Sequence, residues 1–164
     1  MTDLKKLQAL AESGDTAALF CLGMEYLFGC KTDRDAVGAI GIEHIKTCIE
    51  RGHAPAKEAL AAIYKSGIKS DSGNVILAPD LLSSVTLFEE CASEGSGSAQ
   101  IALACISANS GSYAAAAHWF MAAAEQGYHT AQSRLAMLYE SGLGVEQSSE
   151  LAHYWNSRAD ERDF

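Results

Sequence analysis

Apolar residues recur along the chain at the three- and four-residue spacing of amphipathic helices. The pattern occurs four times, and each copy follows a short segment that ends in glycine. These glycines are Gly14, Gly52, Gly95 and Gly127, separated by 38, 43 and 32 residues. Glycine often ends a helix because it adopts a positive φ without strain. The sequence therefore predicts helix–turn–helix repeats joined by loops of variable length.

The same stripe of side chains follows each glycine. An alanine comes four residues later, a leucine with a small neighbour follows after four more, and three copies then carry a tyrosine. Residues at i, i+4 and i+8 share one helix face, so the small side chains let a second helix approach while leucine and tyrosine fill the space beside it. The stripe consists of Ala18, Leu22, Gly23 and Tyr26; Ala56, Leu60, Ala61 and Tyr64; Ala99, Leu103, Ala104 and Ser107; and Ala131, Leu135, Ala136 and Tyr139.

A second helix in each repeat carries the complementary face. Because one repeat cannot bury its own apolar face, the copies must stack on one another. The clearest copies of the second face are Ala116, Trp119, Ala123 and Ala124, and then Ala152, Trp155 and Ala159.

Helix caps and periodicity together predict nine helices. Asp80, directly after Pro79, is suited to begin one helix, and Ser148 or Ser149 is suited to cap the last. The longest connection, residues 66–79, mixes turn residues with the apolar run VIL. Such connections are often functional, but we favour a tolerated insertion whose apolar residues pack onto a neighbouring repeat. The helices are expected near residues 3–13, 16–28, 34–51, 54–66, 79–94, 98–109, 112–126, 129–141 and 147–160.

Two adjacent segments resemble a known family. Residues 116–127 (AAHWFMAAAEQG) are followed by residues 131–145 (AQSRLAMLYESGLGV), and the pair is similar to the Sel1-like repeats, which are relatives of the tetratricopeptide repeats. The resemblance implies an all-α fold, a right-handed α/α superhelix of about four helix–turn–helix repeats after an N-terminal helix. We expect a single domain, 1–164, with repeats 1 to 4 at about 15–52, 53–95, 96–127 and 128–161.

The resemblance covers roughly residues 3–160 and is strong in about the last 50 residues. It is weaker in the earlier repeats. Ser107 replaces the expected tyrosine, and Gly41 and Leu87 stand where alanine and tryptophan are typical of the family.

The composition indicates a folded chain of about one domain. Of its 164 residues, 48% are hydrophobic, 20% are charged and 2 are proline, which is unlike a disordered protein. No apolar run approaches the length of a membrane span, and no apolar segment follows the first lysines as in a secretory signal. We therefore expect a cytoplasmic protein without a membrane partner.

Negative charge dominates and is unevenly distributed. The formal net charge of −9 disfavours nucleic acid as a partner, because a polyanion is repelled. Residues 1–82 contain 9 Lys or Arg and 11 Asp or Glu, whereas residues 83–164 contain 3 and 10. The acidic C-terminal half is suited to a basic partner, although a charged surface that only maintains solubility explains the same counts.

The cysteines and histidines do not form a recognisable site. Five cysteines without a CxxC pair argue against a disulfide framework and a zinc site. A disulfide-rich branch of the Sel1-like family pairs a cysteine near the end of each second helix with one in the next repeat. Cys48 and Cys91 occupy the first of these positions, but the second cysteine is absent. We expect free and mostly buried thiols at Cys21, Cys30, Cys48, Cys91 and Cys105.

Residues for catalysis are not apparent either. The five histidines are scattered, and none forms an i, i+4 pair with a third metal ligand in reach. The sequence contains no phosphate-binding glycine loop, nucleophile elbow or zincin motif. We predict that the chain is not an enzyme and has no cofactor or metal. The histidines, interpreted as structural or surface residues, are His44, His53, His118, His129 and His153.

The first helices of stacked repeats usually line a concave binding face. In repeat 1 this helix has a second apolar stripe, formed by Phe20, Met24 and Phe28. This stripe either binds a partner or is covered by the N-terminal helix. Ile101 and Cys105 occupy equivalent places in repeat 3, as Ala62 does in repeat 2. The candidate partner-binding residues are Phe20, Met24, Phe28, Glu58, Ser133, Met137, Glu140, Glu146 and Glu150.

The resemblance implies a protein–protein interaction module, since Sel1-like repeats usually act as adaptors in assemblies and signalling. They also occur in immunity proteins that neutralise bacterial toxins. An acidic chain is suited to that role, because charge steers fast association with a basic toxin or effector domain. A general adaptor or scaffold is the alternative. The small-molecule-binding or hydrolytic role of the disulfide-rich branch is less favoured, because its cysteine pattern is broken here.

The repeat register predicts the stability of one variant. Leu135→Ala should lower the free energy of unfolding by about 2–5 kcal/mol, because Leu135 lies on the buried stripe. Glu146→Ala and Glu150→Ala serve as controls and should change it by less than about 0.5 kcal/mol. Denaturant melts measure all three. A neutral Leu135→Ala would show that the register is wrong.

Overall fold

The structure, a computed structural model, describes residues 4–29 and 33–161. Within these ranges it has nine helices and one β-hairpin, and each helix begins and ends within two residues of its predicted limits. The all-α prediction is therefore confirmed. Cys30, predicted to be a free thiol, lies outside the described residues. The helices are α1 (Leu4–Glu12), α2 (Thr16–Phe28), α3 (Arg34–Glu50), α4 (Ala54–Ser66), α5 (Leu81–Ser93), α6 (Gly97–Asn109), α7 (Tyr113–Glu125), α8 (His129–Ser141) and α9 (Ser149–Asp160).

Two predicted helix caps are present. The carboxylate of Asp80 accepts hydrogen bonds from the backbone N–H of Ser83 at 3.1 Å and from its hydroxyl at 2.6 Å. These bonds lower the pKa of Asp80 and fix the start of α5. Of the two serines considered for the last helix, Ser148 is the cap, because its hydroxyl oxygen accepts from the backbone N–H of Leu151 at 3.2 Å.

The chain divides into two compact units, 1–87 and 88–164, and the division falls within α5. In unit 1 the closest helix contact joins α2 and α3. A Cβ atom added to Gly23 would lie 2.9 Å from the carbonyl oxygen of Gly41, and one added to Gly41 would lie 2.8 Å from that of Gly23. The two backbones therefore touch, which explains why Gly41 replaces the alanine typical of the family.

Apolar side chains from several elements meet beside this contact and form the core of unit 1. Leu27 and Ile45 are completely buried, and so is Cys48. Ala56 and Leu60 from the predicted stripe of α4 pack into the same cluster. The stripe in repeats 1 and 2 thus faces the core, as the register predicts.

The long connection after α4 is a β-hairpin, which the sequence did not reveal. Strand β1 (Ile68–Lys69) pairs antiparallel with β2 (Val75–Leu77). Ile68 is buried in the core of unit 1, and the side chain of Ile76 covers Gly38 of α3 so closely that a Cβ there would lie 2.7 Å from its Cδ1. The favoured interpretation is confirmed in one respect: apolar residues of this insertion pack onto the neighbouring repeat.

Polar contacts attach the hairpin to the first turn of α3. The carboxylate of Asp35 accepts hydrogen bonds from the Ser72 hydroxyl at 2.5 Å and the Asn74 amide at 3.0 Å. Arg34 forms an ion pair with Asp71. Hydrogen bonding by Ser70, Ser72 and Asn74 lowers the pKa of Asp35. Since a lowered carboxylate pKa stabilises the folded state above the unfolded pKa, this attachment is strongest near neutral pH and weakens below about pH 4.

The core of unit 2 is built from small side chains around a few large ones. Leu135 is completely buried, together with Ala131 and Ala136 of the same stripe. Phe120 and Trp155 from the second helices of repeats 3 and 4 complete the cluster. This arrangement confirms the predicted register in the segment that most resembles the family.

Two buried glutamines join consecutive helices in unit 2. Each follows the alanine of the stripe, Gln100 in α6 and Gln132 in α8. The Gln132 amide donates to the carbonyl of Ala124 at 3.1 Å, and Gln100 donates to the carbonyl of Ala92 at 3.5 Å. Carbonyls at helix ends lack intrahelical partners, so these side chains fix the turn that precedes each helix.

A half-buried histidine gives unit 1 a testable dependence on pH. The ring of His44 in α3 lies 5.6 Å from that of Tyr26, and its buried Nδ1 has no hydrogen-bond partner among the described residues. Burial lowers the pKa of His44 below 6.5. The unfolded chain therefore binds this proton more readily, and the folded state should lose stability as the pH falls through 6.5.

We expect the free energy of unfolding to decrease between pH 7.5 and pH 5, and to decrease less in His44→Phe, which keeps an aromatic ring beside Tyr26. Urea melts at several pH values measure the slope. His129→Phe is the matched control, because His129 is exposed at the start of α8. Equal slopes for the parent chain and His44→Phe would show that His44 is not the source of the pH dependence.

Candidate partner-binding groove

A groove of about 690 Å³ opens on the surface of unit 2, and we name it the α6–α8 groove. The end of α6, the start of α7, most of α8 and the loop after α8 form its walls. Its lining residues are Cys105, Ala108, Asn109, Tyr113, Phe120, Arg134, Met137, Leu138, Glu140, Ser141 and Leu143.

The groove has a buried apolar floor and an exposed apolar rim. Phe120 and Leu138 form the floor with only 3% and 7% of their surface exposed. Around the opening, Met137 is 57% exposed, Leu143 is 42% exposed and Tyr113 is 36% exposed. Large apolar side chains that remain in solvent beside a concave apolar surface are typical of binding sites.

The periodicity of α8 explains why one helix serves both core and groove. Ala131 and Leu135 face inward, whereas Arg134, Met137 and Ser141 recur at three- and four-residue spacing on the groove side. Because residues at these spacings share a face, the second stripe of α8 is presented to solvent along the length of the groove.

Two turns bring the remaining apolar side chains to the rim. Gly142 ends α8 in the left-handed conformation with a φ of 67°, and the next N–H, of Leu143, bonds back to Leu138 at 3.1 Å. Gly144 then packs directly against the backbone of Tyr113, where there is no space for a side chain. This contact places Leu143 and Tyr113 on the same part of the rim.

The charged side chains of the groove are of opposite sign. Arg134 lies one turn before Met137 on α8, and Glu140 lies one turn after it. In the described part of unit 2, residues 88–161, nine residues are Asp or Glu, and Arg134 and Arg158 are the two basic residues. Arg134 is therefore an exception in an acidic half, and it lies at the groove.

The structure brings some of the predicted site residues together. Met137 and Glu140 line the α6–α8 groove with Cys105, which the sequence placed at an equivalent concave position. Ser133 is exposed on α8 outside the groove lining, and Glu150 is exposed on α9. Glu146 lines a separate cleft beside Tyr139, Val145 and Leu151.

The predicted stripe on α2 lies in a different cleft, in unit 1. Phe20, Met24 and Phe28 line this cleft of about 430 Å³ together with Leu4 and Leu7 of α1. Phe20 and Met24 are partly buried against the core, whereas Phe28 is 54% exposed. The N-terminal helix thus borders the stripe but leaves its last residue in solvent. Of the remaining candidates, Glu58 is half-buried on α4.

Sequence reasoning missed Tyr113, Arg134 and Leu143. Leu143 and Tyr113 are far apart in sequence, and only the contact of Gly144 with the α7 terminus brings them to one rim. A signal for Arg134 was available, because a lone basic residue on an otherwise acidic pair of helices is conspicuous. Its position, three residues before Met137, places it on the same helix face.

Across residues 4–29 and 33–161, no group of three or more His, Cys, Asp or Glu residues is arranged to hold a metal ion. None of the helices in these ranges has the length and apolar character needed to cross a membrane.

Four cysteines in the same part of the chain are free thiols, as predicted. Cys48 and Cys91 are buried, and burial raises the pKa of Cys48. Cys105 is half-buried at the groove, and Cys21 is exposed. The expectation of mostly buried thiols was therefore wrong for Cys21, which lies on the solvent side of α2.

No protein-family model matches the chain, and no curated protein sequence matches it. Several solved structures do match the chain. The protective antigen c5321 of uropathogenic Escherichia coli, which displays an SLR fold, is 28% identical and aligns with 98% of this chain at a TM-score of 0.78. A Sel1 repeat protein from Oxalobacter formigenes is 20% identical and aligns with 95% of this chain at a TM-score of 0.75.

Both of these proteins are longer than the present chain. The alignment covers 33% of the Escherichia coli protein and 62% of the Oxalobacter formigenes protein. The second likeness shows the fold alone, whereas the first adds a likeness in sequence over nearly the whole chain. The repeat register, the helix packing within each unit and these two likenesses together show that the chain has the Sel1-like repeat fold.

Proposed function

We propose that the α6–α8 groove binds a partner protein and that this binding is the function of the chain. The Sel1-like repeat fold supports a protein–protein interaction module. The observation that carries the proposal is the exposed rim of Met137, Leu143 and Tyr113 around a buried apolar floor. An apolar side chain of the partner that enters the groove would remove these side chains from water.

The charge distribution favours a basic partner. Residues 83–164 contain 10 acidic and 3 basic residues, and such an excess accelerates encounter with a positively charged protein. Rim charges affect the association rate, while buried apolar anchors carry most of the affinity. In this proposal the acidic half attracts the partner and the groove retains it.

A toxin or effector domain of a bacterium is the partner class that we favour. The chain would then act as an immunity protein in the bacterial cytoplasm, where it would bind the toxin before the toxin reaches its target. Both likenesses are to bacterial proteins, which supports this setting. Fast association is important for neutralisation because the inhibitor competes with the target for the free toxin.

A general adaptor is the second candidate, and one observation favours it. Unit 1 has its own apolar cleft, lined by Phe20, Met24 and the exposed Phe28. Two separate binding surfaces suit a protein that joins two partners. An immunity protein needs only one.

Site-specific crosslinking tests the groove. A photo-reactive residue at position 137 should capture a partner in the native cell, whereas the same residue at the exposed position 115 on α7, outside the groove, should not. Met137→Glu should then weaken binding of the captured partner by about tenfold or more, since it places a charge in the apolar contact. Because Met137 is 57% exposed, the Met137→Glu variant should unfold at the same temperature as the parent chain. Equal capture from both positions would contradict the proposal.

Co-expression separates the two candidate roles. If the captured partner is a toxin, the intact chain should restore growth to cells that express the partner, and Met137→Glu should restore it less. A partner that does not impair growth would exclude the immunity role. Phe28→Glu then tests the adaptor role, because loss of a second, different partner in this variant would indicate binding at the unit 1 cleft.

A further inference from the structure

The two charged residues of the groove lie on either side of its apolar centre. Arg134 precedes Met137 by three residues and Glu140 follows it by three, so their positions are separated by about 9 Å along α8. Both side chains line the same groove. An occupant that covers Met137 therefore approaches a positive group on one side and a negative group on the other.

The acidic residues around Arg134 make it the favoured contact for an anionic group. Most charged side chains in the described part of unit 2 are carboxylates, which repel an anionic group over the rest of this surface. Arg158, the other basic residue in that part, lies on α9, and its guanidinium donates to the Tyr154 hydroxyl at 3.3 Å. A carboxylate on the occupant is thus directed to the Arg134 side of the groove.

We infer that the occupant is an amphipathic helix of the partner protein with a carboxylate at one end of its apolar face and a basic group at the other. This inference rests on the proposed function and specifies its partner. The carboxylate lies toward Arg134, the basic group toward Glu140, and apolar side chains between them cover Met137 and Leu143.

Helix geometry matches this spacing. Residues i and i+7 of a helix share a face and are about 10.5 Å apart, with i+3 and i+4 between them on the same face. A segment with an acidic residue at i, apolar residues at i+3 and i+4 and a basic residue at i+7 therefore presents its groups in the order that the groove requires. Recognition of an amphipathic helix by an apolar groove is a common mode of peptide binding.

Three synthetic helical peptides test the inference with the intact chain. They share one sequence with leucines at i+3 and i+4 and differ at i and i+7, which are Glu and Lys, Lys and Lys, or Glu and Glu. Fluorescence anisotropy measures each affinity. The mixed peptide should bind about two- to fivefold more tightly than either like-charged peptide, the range expected for one matched exposed ion pair.

Variants of the groove should change this order. Arg134→Glu should prefer the Lys/Lys peptide, and Glu140→Lys should prefer the Glu/Glu peptide, because each substitution makes both flanking charges equal in sign. Glu125→Lys is the matched control: it changes the net charge as Glu140→Lys does, but Glu125 is exposed at the end of α7 and does not line the groove. It should leave the mixed peptide as the preferred one.

The outcomes distinguish this inference from the proposed function. If all three peptides bind equally and Met137→Glu abolishes binding, the groove is a binding site but its charges do not select the occupant. Preference of the parent chain for either like-charged peptide also overturns the inference. If none binds while position 137 still captures a native partner, the inference alone fails. If none binds and position 137 captures nothing, both proposals fail.

Discussion

Close approach between helices at small residues is the constraint on which this structure depends. In unit 1 the backbones of α2 and α3 touch at Gly23 and Gly41, where a Cβ atom would collide with the opposite carbonyl. In unit 2 Ala136, which occupies the position of Gly23 in the stripe, is completely buried, and so is Ala131 of the same stripe. Packing at this density leaves little tolerance for larger side chains. It also fixes which face of each first helix turns inward, so the opposite face is presented to solvent.

The α6–α8 groove is a consequence of this division of helix faces. Once Leu135 is placed in the core, the three- and four-residue periodicity of α8 directs Arg134, Met137 and Ser141 to the other side. The groove needs no special backbone geometry along α8. Its rim does, because Leu143 reaches it through a left-handed glycine and the contact of Gly144 with the start of α7. The groove thus combines a helix face that follows from the repeat with a local turn after α8.

The features missed by sequence reasoning depend on contacts between distant segments. The hairpin has strands of two and three residues, too short for a periodic pattern to reveal. It is stabilised by Ile68 in the core and by Asp35 on α3, which lies more than thirty residues earlier in the chain. The buried glutamines are similar, since Gln132 looks like a surface residue until its bond to the carbonyl of Ala124 is known.

The sequence by itself determined the repeat, the limits of the helices and the identity of the buried stripe. These follow from periodicity, capping and side-chain size, which are local properties and recur in each copy. It also indicated three residues of the groove: Met137 and Cys105, whose places in the repeat are equivalent to the second stripe of α2, and Glu140, which it offered as a partner-binding candidate. Only the tertiary structure decided that Tyr113, Arg134 and Leu143 share this groove, and that Phe28 remains exposed beside α1. The physical reason is that a site built from several helices depends on turn geometry and on close contacts between segments, and neither has a period that a sequence can display.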